Sequence, residues 1–256
     1  MMVGTKTLPG GTSPVQIGAL WHSAWELEKA LQKYCKPILA LTDDSQFPYC
    51  LRGSGAAIRM AERHFLFCCR HQISGYAPDK IAIPLSFETK LMSASSMREL
   101  TITEANRDGD TIDVAALEYD VENYGIPNLT SEFFPIDDFR VWPYGTAQLP
   151  FLVFGYSSKR QLFDEDGISA RKIEFQATYN GATSSPHLHR MKAEKAVDAD
   201  GMSGGPVFYI GRALSGFFVG FAGIVMRGGQ NSRYLHFMAA NFLFQMALES
   251  STVPWT

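Results

Sequence analysis

Gly201-Met202-Ser203-Gly204-Gly205-Pro206-Val207 places one serine among three glycines, and the chain continues as Phe208-Tyr209-Ile210, an apolar run with strand character. Glycine adopts backbone angles that other residues avoid, so the amides around Ser203 can turn inward together. A carbonyl compound can approach such a turn without meeting a bulky neighbour. A serine hydroxyl is a weak nucleophile alone, and it needs a base that is itself oriented by an acid.

Histidines stand at 22, 64, 71, 187, 189 and 236. His71 closes the apolar run His64-Phe65-Leu66-Phe67-Cys68-Cys69-Arg70. A small-residue segment, Gly53-Ser54-Gly55-Ala56-Ala57-Ile58, lies just before it. The polar Ala61-Glu62-Arg63 between the two runs predicts a hairpin that delivers His71 at the end of its second strand. His64 sits where a turn residue is expected. His187 and His189 have no Cys or further His at zinc-site spacing after them, and they read as a polar loop. Asp113 opens Asp113-Val114-Ala115-Ala116-Leu117. An acid entering a buried strand is costly unless hydrogen-bonded, and an imidazole N–H is a suitable partner. Asp110 competes from a glycine-rich loop, whereas Asp120 follows the strand at its opposite end.

His71 after its strand, Asp113–Leu117 and Gly201–Pro206 together resemble the trypsin/chymotrypsin-like serine peptidases, in particular their disulfide-free bacterial branch. The order His, Asp, Ser and the separations are those of that family. Gly53-Ser54-Gly55 resembles the segment that precedes the family's His strand, and Phe218–Ile224 resembles a wall of its substrate pocket. The similarity covers roughly residues 36–250.

The resemblance implies an all-β fold of two six-stranded antiparallel barrels with an N-terminal and a C-terminal helix. Residues 1–35 form an extension with its helix. The first barrel spans about 36–135, a linker 136–150, the second barrel 151–235 and the last helix 236–250. The resemblance further implies Ser203 as nucleophile, His71 as general base, Asp113 as orienting acid, and the N–H groups of Gly201 and Ser203 as oxyanion hole. The pocket base falls at Val197 and Asp198, and the wall at Ala222, Gly223 and Val225. Val197 favours a small or apolar side chain before the scissile bond. Asp198 or Asp200 would favour a basic one, and Arg227 or Arg233 an acidic one. A polypeptide is the implied substrate, with no metal and no organic cofactor. Two departures stand out: Met202 replaces the Asp before the serine of digestive relatives, and Gln72 replaces the usual half-cystine after the histidine.

With 256 residues, 46% hydrophobic and 12% aromatic, the chain can bury a large core. A net charge of −3 gives no signal for nucleic acid or an anionic membrane. The four cysteines, at 35, 50, 68 and 69, read as reduced thiols. The first residues lack a basic-then-apolar leader, so a cytoplasmic location is expected. Trp25, Leu27, Leu31 and Tyr34 recur at helical spacing behind Ser23 as cap, and predict a helix over 23–34. That helix covers a barrel or, with Trp21 and Trp25 as anchors, docks a regulatory partner. The rival to a peptidase is a catalytically silent scaffold or partner-binding module of the same fold.

Overall fold

The computed structural model describes residues 13–86, 90–100, 109, 113–136, 141–143, 150–164 and 167–249. Asp110 and most of the linker lie outside them.

The chain opens with β1 (Val15–Ile17), β2 (Leu20–His22) and α1 (Leu27–Gln32). The first sheet follows: β3 (Cys35–Leu41), β4 (Tyr49–Met60), β5 (Arg63–Cys69), the single turn α2 (Arg70–Ile73), β6 (Ile81–Pro84), β7 (Leu91–Ser93), β8 (Ser96–Glu99), β9 (Val114–Tyr119) and β10 (Phe134–Ile136). The second comprises β11 (Phe151–Asp164), β12 (Gly167–Ala182), β13 (Leu188–Val197), β14 (Pro206–Ala213), β15 (Gly216–Gly228) and β16 (Ser232–Ala239). Helix α3 (Ala240–Glu249) closes the described chain.

Strands β14-β11-β12-β13-β16-β15 are hydrogen-bonded in that order, and β14 pairs again with β15, so six antiparallel strands close on themselves. β1 and β2 extend this sheet beyond β15, with β1 parallel to it. The first sheet runs β7-β6-β3-β4-β5-β9-β8, with β10 beside β4. It curls into a half-barrel, and the whole is an all-β architecture compatible with a chymotrypsin-like double barrel. Among the described residues, no helix is long and apolar enough to cross a membrane.

Alternation along the strands sends side chains to two cores at once, which explains strands that are apolar on both faces. On β5, Leu66 and Cys68 fill the half-barrel with Ile38, Ile83 and Leu117, while Phe65, Phe67 and Cys69 face a second core between the two units. On β11, Phe151 and Val153 fill the closed barrel, while Leu152 and Phe154 enter the same central core. Cys68 and Cys69 therefore sit on opposite faces, and all four cysteines are free thiols. Burial pushes the Cys35 thiol up to about 12 and Cys68 higher still.

Four sequence expectations change. The N-terminal helix starts at Leu27, because the Ser23 hydroxyl donates to Glu26 Oε2 (2.8 Å) and residues 23–26 form a turn. Leu27 and Leu31 are buried, whereas Trp25 is exposed. The final helix starts at Ala240, because residues 236–239 still pair as strand with β13 and β15. His189 is not a loop residue: it lies on β13, buried against Trp142, Tyr179 and Phe237. His187 alone takes the turn position (φ 63°). His64 is likewise buried, opposite Tyr119 on β9, and burial pulls its pKa down.

Candidate active site

β5 pairs with β9 from His64↔Tyr119 to Cys69↔Val114, and this register sets the geometry at its far end. One residue before Val114 stands Asp113, level with the turn that α2 makes beyond Cys69. The Arg70 N–H donates to the Asp113 carbonyl (2.9 Å) and continues the ladder. The Asp113 carboxylate then works with both oxygens: Oδ1 accepts the His71 backbone N–H (2.9 Å), and Oδ2 lies 2.7 Å from His71 Nδ1. The turn and the ring are thus fixed by one acid. Asp120 lies beyond the other end of β9, where it accepts from Asn123.

That hydrogen bond from the ring to Asp113 raises the His71 pKa above the ordinary 6.5; partial burial and the nearby Arg52 guanidinium oppose it. With Nδ1 engaged, Nε2 is the ring nitrogen left for a second partner. The Cys69 thiol, His71 and Asp113 offer three metal-ligating atoms within 4.8 Å of one another. Each already has a protein partner, since Cys69 Sγ donates toward the Val225 carbonyl (3.7 Å).

Ser203 reaches the same cleft from the second barrel. Gly201 (φ 85°) and Gly204 (φ 81°) flank it in left-handed conformations, the angles that favour glycine. The Met202 N–H donates to Ala199, Gly204 to Val225 (2.7 Å) and Gly205 to Met202, so the turn is tied into β15. The backbone N–H groups of Gly201 and Ser203 have no partner among the described residues. Met202, directly before the serine, is fully buried inside the closed barrel. The Ser203 hydroxyl donates to the Met226 carbonyl (3.1 Å), and no hydrogen bond joins it to His71.

Both side chains line one cleft of about 530 Å³, together with Arg52, Gln72, Asp198, Asp200, Gly228 and Gln230. Of the residues expected to bind substrate, Asp198 is there. Val197 packs in the barrel core and lines a separate cleft near Glu28. Ala222 and Val225 are fully buried in the barrel interior, and Gly223 lies against the Met238 carbonyl. Both faces of β15 are buried along this stretch: Ala222 and Val225 lie in the closed barrel, while Phe221, Ile224 and Met226 lie in the central core. The register between β14 and β15 shifts here, from Val207↔Gly223 to Phe208↔Phe221. The wall of the cleft is made instead by Arg227, Gly228 and Gln230.

Sequence reasoning missed the parts that join the two halves. Ser54, fully buried, donates to the Gly201 carbonyl (2.9 Å) and accepts the Tyr156 N–H (2.8 Å). Gln72 bonds the Ser203 carbonyl. Their signals were present as the serine in Gly53-Ser54-Gly55 and as the amide directly after His71. No family model and no curated protein matches the chain, so the likeness to chymotrypsin-like double barrels rests on fold and geometry.

Proposed function

We propose that the protein is a serine endopeptidase. The observation that carries this reading is an imidazole held by Asp113 in the same cleft as a serine set in a glycine turn. Ser203 Oγ attacks the carbonyl carbon of a peptide bond, and its proton passes to His71 Nε2. Asp113 stabilises the imidazolium, and the N–H groups of Gly201 and Ser203 receive the oxyanion. His71 then returns the proton to the amine as the C–N bond breaks, and water hydrolyses the acyl-enzyme by the reverse route. One oxyanion donor is worth about 3 kcal/mol in such chemistry. Four free thiols, two of them side by side on β5, suit a reducing compartment such as the cytoplasm.

Peptide-library digestion by wild type beside Ser203→Ala tests the proposal. Cleavage should fall by about 10⁶-fold in the variant. Equal cleavage by both proteins would rule it out.

A second reading, a silent scaffold, is favoured by the hydrogen bond from Ser203 to Met226. Engaging His71 means giving up that bond, at a cost of about 1 kcal/mol for one neutral hydrogen bond. That cost is too small to silence an enzyme, and the first reading stands ahead.

A further inference from the structure

We propose that Gln72 is a positioning residue that holds the imidazole-bearing and serine-bearing turns at a fixed spacing across the cleft. The inference rests on the hydrolase reading above. Gln72 is only 3% exposed, and both ends of its amide are used. Oε1 accepts the Cys69 N–H (2.9 Å), at the last residue of the strand that leads to His71. Nε2 donates to the carbonyl of Ser203 itself (2.7 Å), 131 residues away. One side chain therefore bridges the backbones beside both reacting groups.

The surroundings are shaped to admit it. A Cβ on Gly53 would lie 2.0 Å from Gln72 Nε2, and one on Gly204 would lie 2.9 Å from Oε1 and 2.1 Å from the Ser54 carbonyl. Both glycines also have positive φ, so their backbones and their missing side chains serve the same close approach. Gln72 is fixed from its backbone too, because its carbonyl accepts from Arg52 Nε (3.0 Å). On the other side, the Ser203–Gly204 peptide is held at its carbonyl by Gln72 and at its N–H by Val225. The backbone that carries the Ser203 hydroxyl is thereby anchored on both sides of that peptide. A carboxylate of the same length could accept from Cys69 but not donate to Ser203; a thioether cannot donate and accepts only weakly.

The test uses full-length protein and diisopropyl fluorophosphate, read as a limiting labelling rate and a half-saturating concentration. Gln72→Glu keeps the Cys69 acceptor and loses the donor. At pH 8 its limiting rate should drop about 10²-fold with the half-saturating concentration unchanged, as misplacement near 1 Å produces. The deficit should shrink as pH falls and the carboxyl regains a proton to donate. Gln72→Met should lose rate without that recovery, and melting temperatures are recorded for both. Wild-type rates in Gln72→Glu overturn the inference. So does a loss that appears only in the half-saturating concentration, or one that follows the melting temperature with no pH dependence. A wild type that does not label removes the hydrolase reading itself, which is a different result.

Discussion

Asp113 holds His71 by two separate bonds, one to the backbone and one to the ring, and the second is what raises the imidazole pKa. Deprotonated His71 is the working base, so the labelling rate of Ser203 should rise with pH through a midpoint above 6.5. Asp113→Asn removes the raising influence and leaves partial burial and Arg52 pulling the other way. Its His71 midpoint, read by NMR titration of the ring, should move down. Its labelling rate should fall by about 10⁴-fold, the loss known when the orienting acid becomes an amide. A midpoint that stays put would show that the carboxylate does not govern this ring. The sign for folding follows from the same shift. The His71–Asp113 bond favours the native state below pH 6.5 and fades as pH rises through the raised value. The imidazole is more than half exposed, so solvent screens this effect.

At the scale of elements, β3 and the turn before β10 are locked by a buried ion pair, Lys36 with Glu132. Glu132 also accepts from the Ser86 N–H (3.0 Å) and hydroxyl (2.8 Å). Burial would raise its pKa, but Lys36 and Ser86 outweigh burial and hold the carboxyl below the ordinary 4.5. Glu132→Gln leaves a buried ammonium without its counter-charge. It should cost about 3–5 kcal/mol in chemical denaturation. A loss under about 1 kcal/mol, the worth of an exposed pair, would contradict this assignment. The placement of elements divides clearly by what could be read beforehand. The hairpin carrying His71, the strand opened by Asp113 and the turn around Ser203 were legible, because each sets a polar, chemistry-bearing residue at the edge of a short continuous apolar run. The burial of β15 on both faces was not legible, since it depends on which cores the barrel and the half-barrel bring to either side of the strand. Ala222 and Val225, expected on the wall of a substrate pocket, lie in the barrel interior instead. The helix boundaries shifted for a related reason: pairing with β13 and β15 outweighs the helical spacing of residues 236–239.

At the scale of the whole molecule, the central core joins the half-barrel to the closed barrel. Phe208 stands in it against Tyr34, Phe134, Phe154 and Phe221, with ring centroids 4.8–6.4 Å apart. Tyr34 and Phe134 come from the first unit and the segment leading out of it, Phe154 and Phe221 from the second barrel. Phe208→Ala should cost about 3–5 kcal/mol of stability. It should also weaken labelling of Ser203 in the fraction that stays folded, because the candidate site is divided between the same two units. Unchanged labelling would mean that the central core does not hold the site together. The two readings of the chain, hydrolase and scaffold, share this architecture and differ only in whether one hydroxyl is activated. Mass spectrometry of full-length protein after exposure to a fluorophosphonate, at pH 8, asks that question directly. A single phosphonyl adduct on Ser203, absent in Ser203→Ala and in His71→Ala, is the predicted result. An unmodified Ser203 in folded wild-type protein would contradict it.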